Sequence, residues 1–242
     1  MPQHVVIIGA VALGPKAACR FKRLEPDSRV TMIDMSERIS YGGCGIPYFV
    51  GGEVHTAEDL QSTPYSVVRD ATFFHNFKDV EVRTQTRALA IDRAAKTVRL
   101  KDLRTGEESE LSYDKLVLGL GSRPRPLPIP GTDLPGVHSI SGLESAMEIK
   151  ASISRGEVGK AVVIGAGFTG LEMAEALVDL WGLETTVIEL ADQPLPGLIG
   201  PTTARAATHT LKENGITLRC GEKVLSLEGN GRVERVVTDK GG

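Results

Sequence analysis

Two short apolar runs, His4–Ile8 and Ala161–Ile164, each break off at a glycine and give way to a stretch with helical spacing. A second apolar run follows in each case, Val30–Ile33 and Thr185–Ile188, and closes on an acid, Asp34 and Glu189. Strand, glycine turn, helix, strand, acid is the order of a βαβ unit whose helix N-terminus faces an anion. Glycine permits the tight turn and lets backbone N–H groups approach a pyrophosphate, and an acid about 20 residues on takes ribose hydroxyls. An open, mostly parallel α/β sheet accommodates that order, and the chain carries it twice.

The second turn is complete. It reads Gly165-Ala166-Gly167-Phe168-Thr169-Gly170 behind Val162-Val163-Ile164. A lone glycine pattern is weak, but both strands, the helix and Glu189 make this one specific. The first turn reads Gly9-Ala10-Val11-Ala12-Leu13-Gly14, with Val11 where the middle glycine belongs. A valine side chain there could crowd a pyrophosphate, so on pattern alone an ordinary βαβ crossover fits nearly as well. Glu189 also bears on cofactor choice. Leu190-Ala191-Asp192 supply no cation, so the carboxylate should repel a 2′-phosphate and favour NADH over NADPH.

Between the turns, Val80–Arg83, Leu89–Asp92, Thr97–Lys101 and Leu111–Leu118 have the composition of short strands, with a turn at 104–106. They predict a β-meander attached to the first unit. Arg123–Gly131 is too proline-dense for a central strand or a helix, and reads as a linker or a packed surface loop. Helical spacing returns at 14–25, 143–155, 169–180 and 201–214, and Val224–Leu227 with Val233–Thr238 begins a second meander. The expected fold is therefore α/β: two Rossmann-like, dinucleotide-binding three-layer domains with β-meander insertions, the second incomplete. The domains are expected at 1–150 and 151–242.

A formal net charge of −3 with no basic stripe gives no reason to expect nucleic acid or an anionic membrane surface. No apolar run is long enough to span a bilayer. The N-terminus lacks the basic region and cleavage pattern of a secretion signal. Three cysteines, an odd count, argue for a reducing compartment, and the expected location is cytoplasmic. No Cys or His lies in metal-ligand spacing, so no metal site is expected.

Ser40-Tyr41-Gly42-Gly43-Cys44-Gly45-Ile46-Pro47-Tyr48 is the most informative stretch. Cys44 precedes a segment that can start a helix with Pro47 in its first turn. A helix N-terminus stabilises a thiolate, and this one follows the first βαβ unit, where redox chemistry with a bound dinucleotide has a place. The alternative is a small buried hydrophobe, the reading preferred for Cys19 and Cys220.

With these motifs together, the sequence resembles the FAD-dependent pyridine nucleotide-disulfide oxidoreductases. Within them it resembles the single-cysteine branch of coenzyme A-disulfide reductases, NADH oxidases and NADH-dependent persulfide reductases. The resemblance covers essentially the whole chain. It rests on Ser40 through Tyr48, on Gly9, Val11, Ala12 and Gly14 (a pattern in which Val11 is normal), on Gly165 to Glu172, and on Tyr113 through Ser122 including Gly121.

The resemblance implies FAD at the first turn, with Asp34 on its ribose. It implies NADH at the second, held by Gly165, Gly167, Phe168 and Gly170, with Glu189 on the ribose and Glu172 near the nicotinamide. Hydride would pass from NADH to flavin, and electrons onward to Cys44. Ala12 stands where peroxidases and water-forming oxidases of this branch carry histidine. That favours a small-molecule disulfide or persulfide acceptor, with Arg20, Arg23 and Ser40 matching positions that contact coenzyme A. By sequence alone, Arg20 and Arg23, three apart on one helix, are read more readily as a solvated basic face. Gly43 departs from the usual Asn, and Gly119-Leu120 from the usual Ala-Thr. The family continues beyond residue 242 into a second FAD motif and a dimer interface. The expectation is therefore a truncated chain or a fragment, homodimeric only in its longer form, with exposed apolar surface. An NADH oxidase using oxygen and a catalytically incompetent nucleotide-binding fragment are the alternatives.

Overall fold

The computed structural model describes residues 1–241, which form two compact units. Unit 1 comprises Met1–Cys44 and Thr56–Ser122; unit 2 comprises Gly45–His55 and the described chain from Arg123 onward. These units divide the chain elsewhere than at residue 150, because residues 123–150 and the short segment after Cys44 pack with the second βαβ unit.

In unit 1, strand β1 (His4–Ile8) leads into helix α1 (Leu13–Leu24) and strand β2 (Arg29–Ile33). Strands β3 (Glu81–Arg83) and β7 (Lys115–Leu118) complete a parallel sheet of order β3-β2-β1-β7. Side chains of β1 alternate between faces, as a strand buried on both sides must. Val5 and Ile7 pack with Ala18 of α1, Met32, and Phe74 of helix α4 (Ala71–Lys78). Val6 and Ile8 pack with Val98, Leu100 and Leu111 of an antiparallel meander, β4 (Thr86–Asp92), β5 (Thr97–Asp102) and β6 (Glu108–Ser112). Helix, sheet and meander make three layers.

Two strand expectations are corrected here. Val80–Arg83 does not join the meander; Thr31, Met32 and Ile33 pair with Glu81, Val82 and Arg83 in the parallel sheet. Leu111–Leu118 is two strands. The chain leaves β6 at Tyr113, and Asp114 turns it into β7 through two hydrogen bonds with His4 on β1: the Asp114 N–H donates to His4 O, and the Asp114 carboxylate accepts from the His4 N–H. Helices α3 (Ala57–Gln61) and α4 lie in a stretch that the hydrophobic pattern left unassigned. Their signals were caps: Thr56 and Asp59 form a reciprocal capping box, and Asp70 accepts from the Phe73 N–H.

Unit 2 repeats the plan. Strand β8 (Lys160–Ile164), helix α6 (Phe168–Asp179) and strand β9 (Glu184–Glu189) are followed by helix α7 (Pro201–Glu213) and strand β10 (Ile216–Cys220). The parallel sheet is β10-β9-β8. Val163, Val187 and Leu218 pack against α6 and α7. On the other face, Ile188 meets the hairpin of β11 (Val224–Glu228) and β12 (Arg235–Thr238). The proline-dense stretch is docked at its end: the Leu227 N–H donates to Pro130 O, and Ile129 packs with the hairpin. Helices α2 (Ile46–Gly51) and α5 (Leu143–Ser154) also belong to this unit. Among the described residues no helix is long and apolar enough to cross a membrane.

Candidate functional site

The two glycine turns are built alike, bond for bond. Gly9 and Gly165 both take φ +105°, a left-handed backbone that favours glycine. The Gly9 N–H donates to Ile33 O at 2.8 Å, and the Gly165 N–H to Ile188 O at 2.8 Å. A Cβ on Gly14 would collide with the Gly9 carbonyl oxygen, and one on Gly170 with that of Gly165. The last glycine of each motif is thus what lets the helix start against its own turn.

The acids do more than the spacing predicts. Asp34 Oδ2 accepts from the Ala10 N–H at 2.7 Å, and Oδ1 from the Ser36 N–H at 2.9 Å. Glu189 Oε2 accepts from the Ala166 N–H at 2.7 Å, and Oε1 from the Ala191 N–H at 2.8 Å. Each carboxylate therefore ties its glycine turn to the loop after the next strand, and Glu189 is 9% exposed in doing so. Each oxygen keeps a further lone pair for a ribose hydroxyl. No local sequence pattern announced this bridging role.

The helix starts suit an anion. The N-caps Ala12 of α1 and Gly167 of α6 make no side-chain capping bond, and neither helix has an acid in its first turn. Their first N–H groups lack side-chain competition. No atom lies within 4 Å of where a Cβ on Gly165 or Gly167 would stand, so a pyrophosphate can come close to that turn. Val11 is half-buried and Ala12 exposed at the first turn. On α6, Phe168 and Glu172 lie one helical turn apart, and both are exposed.

At Gly119, where the family pattern has Ala, a Cβ would stand 3.2 Å from Leu13 Cδ2, the tip of an exposed side chain, and 3.4 Å from Ile8 O. Gly121, at φ +68°, carries the chain out of unit 1.

Cys44 is exposed in a 3-10 turn, Gly43–Gly45. The loop before it is stitched to the first glycine turn, since the Ser40 N–H donates to Ala10 O at 2.8 Å. Gln61 Nε2 donates to Ile39 O at 2.7 Å, and the Gly42 N–H to Leu60 O at 2.9 Å. Ser40 itself is buried, at φ +53°, whereas Arg20 and Arg23 are exposed on α1. Cys19 and Cys220 are different. Burial pushes the Cys19 thiol up, with Lys78 and Arg23 opposing. Burial pushes Cys220 up too, helped by Glu189 and Asp192. Neither is set up as a ready thiolate.

A family model described as pyridine nucleotide-disulphide oxidoreductase matches residues 3–242. The chain belongs to the pyridine nucleotide-disulphide oxidoreductase family. Its α/β fold with two Rossmann-like sheets is that of solved members. A NAD-dependent persulfide reductase from A. fulgidus superposes with a TM-score of 0.93 at 39% identity, over 98% of this chain and 43% of that one. A FAD-dependent pyridine nucleotide-disulphide oxidoreductase from Desulfovibrio vulgaris is 45% identical with a TM-score of 0.73, over 98% and 49%. Among curated relatives, the NAD(P)H sulfur oxidoreductase (CoA-dependent) of Pyrococcus abyssi is 35% identical over 98% of this chain and 50% of its own length. The chain thus spans about half the length of the curated relatives it matches.

Proposed function

We propose that this chain forms the nucleotide-binding part of an FAD-dependent oxidoreductase that uses NADH to reduce a coenzyme A-type disulfide or persulfide at Cys44. One observation carries the reading: an exposed thiol sits on a loop hydrogen-bonded directly to the first glycine turn. In this proposal unit 1 holds FAD, through the α1 N-terminus, Gly9, Gly14, Gly121 and Asp34. Unit 2 holds NADH, through the α6 N-terminus, Gly165, Gly167, Gly170, Glu189 and the exposed Phe168 and Glu172. The FAD part expected at 1–150 and the NAD part expected at 151–242 are assigned in this proposal to these discontinuous units.

FAD held in unit 1 would supply the two-electron redox chemistry that links NADH oxidation to sulfur reduction. Cys44, as thiolate, attacks one sulfur of the acceptor and expels the other as a thiolate, leaving a mixed disulfide on the enzyme. Return of Cys44 to the thiolate would take two electrons and release the second sulfur of the acceptor as a thiolate. Arg20 and Arg23 would meet the phosphates of coenzyme A as paired cations on one helix face. Ser40, buried, serves the backbone of the loop. The homologues named for persulfide and CoA-dependent sulfur reduction support this acceptor class. The same reading implies a homodimer in the longer protein and a cytoplasmic location.

Absorption spectra before and after NADH test it. A flavin band that NADH bleaches is expected, with NADPH slower because Glu189 lies where a 2′-phosphate would sit. Cys44→Ser should keep the bleaching and abolish disulfide reduction. Reduction that survives the substitution would remove Cys44 from the mechanism.

A further inference from the structure

The chain crosses from unit 1 into unit 2 at the Cys44–Gly45 peptide bond and returns at His55–Thr56. On the unit 1 side, Ser40 and Gly42 pin the backbone just before Cys44. On the unit 2 side, the first regular element is α2, only six residues long. A helix that short has little stability of its own and needs tertiary partners.

Its partners are specific. Trp181, just beyond α6, donates its indole N–H to Val50 O at 2.7 Å across 131 residues of sequence. Lys150 of α5 donates to Val54 O at 3.0 Å and His55 O at 3.1 Å, and its ammonium lies 4.1 Å from the centre of the Phe49 ring. Gly51 admits α6 closely: a Cβ there would stand 3.2 Å from the Ala176 Cβ. The Val50 carbonyl at the C-terminal end of α2 has no helical partner, so the indole satisfies a group that a buried helix end would otherwise leave bare, while Lys150 holds two carbonyls of the chain beyond it. Ile46, Phe49 and Val50 are buried against the same helices, while Tyr48 is exposed.

We propose that Trp181 and Lys150 are positioning residues for Cys44: they clamp the segment that continues from it, so the thiol's C-terminal flank is anchored rather than free. The proposal rests on Cys44 being the reacting sulfur, but it is tested without activity. The probe is a nitroxide label on Cys44 in a Cys19→Ala, Cys220→Ala background, read by electron spin resonance, with hydrogen exchange of residues 45–55 alongside. Trp181→Phe keeps the ring and removes the donor. It should sharpen the label's spectrum and speed exchange in 45–55 about fivefold, the factor expected for one lost hydrogen bond. Faster exchange with an unchanged spectrum overturns the proposal, because the clamp would then serve α2 alone; no change in either overturns it as well. If Trp181→Phe does not fold, Lys150→Met is read in the same two ways. Label mobility is independent of whether Cys44 reduces anything, so failure here and failure of Cys44→Ser to abolish reduction are separate results.

Discussion

Units 1 and 2 share a turn but not its surroundings. In unit 1, β1 lies between β2 and β7, and the Gly119 carbonyl that follows β7 presses on Gly9. In unit 2, among the described residues, β8 pairs with β9 alone, and no non-neighbouring atom lies within 4 Å of where a Cβ on Gly165 would stand. The apolar residues that face away from the helices show the same contrast. Val6 and Ile8 are 0% and 7% exposed, whereas their counterparts Val162 and Ile164 are 44% and 37% exposed. The glycine turn and its bridging acid are thus a self-contained device. They form identically whether or not the sheet beside them is flanked on both sides.

That contrast can be broken by experiment. The largest effect is expected at the first glycine. Gly9→Ala combines a left-handed backbone with a collision against Gly119, and should destabilise unit 1 by about 3–5 kcal/mol in urea unfolding. Gly165→Ala carries only the backbone strain, about 1–2 kcal/mol. Equal losses would mean that the Gly119 contact carries no weight. Next, Val6→Ala should cost about 2 kcal/mol, from lost burial and a residual cavity, while Val162→Ala should stay within about 0.5 kcal/mol. A large loss at Val162 would show that its surface is covered in solution, by self-association for instance, which sedimentation of the variant would reveal.

The smallest effect concerns acid. Burial raises the Glu81 carboxyl, but hydrogen bonds from Arg29, Arg83 and Thr31 outweigh it and bring it from 4.5 down to about 2. A folded value below the unfolded one stabilises above the unfolded value, and the gain is lost as pH falls from about 4.5 towards 2. Glu81 is about a third exposed, so screening limits the gain to about 1 kcal/mol. Urea midpoints of unit 1 should fall over that range, and Glu81→Gln should flatten the fall.

What the sequence disclosed and what it concealed follows from range. The turns, their acids and the strands β1, β2, β8 and β9 were legible because each is written in consecutive residues with its own periodicity. β3 and β7 were misplaced because a strand's composition does not name its neighbour. Their membership of the parallel sheet depends on pairing with Thr31 to Ile33 and with Val5 to Ile8. Cys44 was legible as a motif, and the short helix after it was foreseen. Its grip by Trp181 and Lys150 was not, since nothing near residue 50 encodes a donor 131 positions away.

The interleaving of the two units limits how this molecule can be taken apart. A gene cut after Ser122 would yield a downstream piece without Gly45–His55, leaving Ala176 without its Gly51 neighbour and the Trp181 donor without its acceptor. The two nucleotide modules are therefore not interchangeable cassettes. Exchanging one between relatives requires carrying along the eleven-residue excursion that begins beside the thiol.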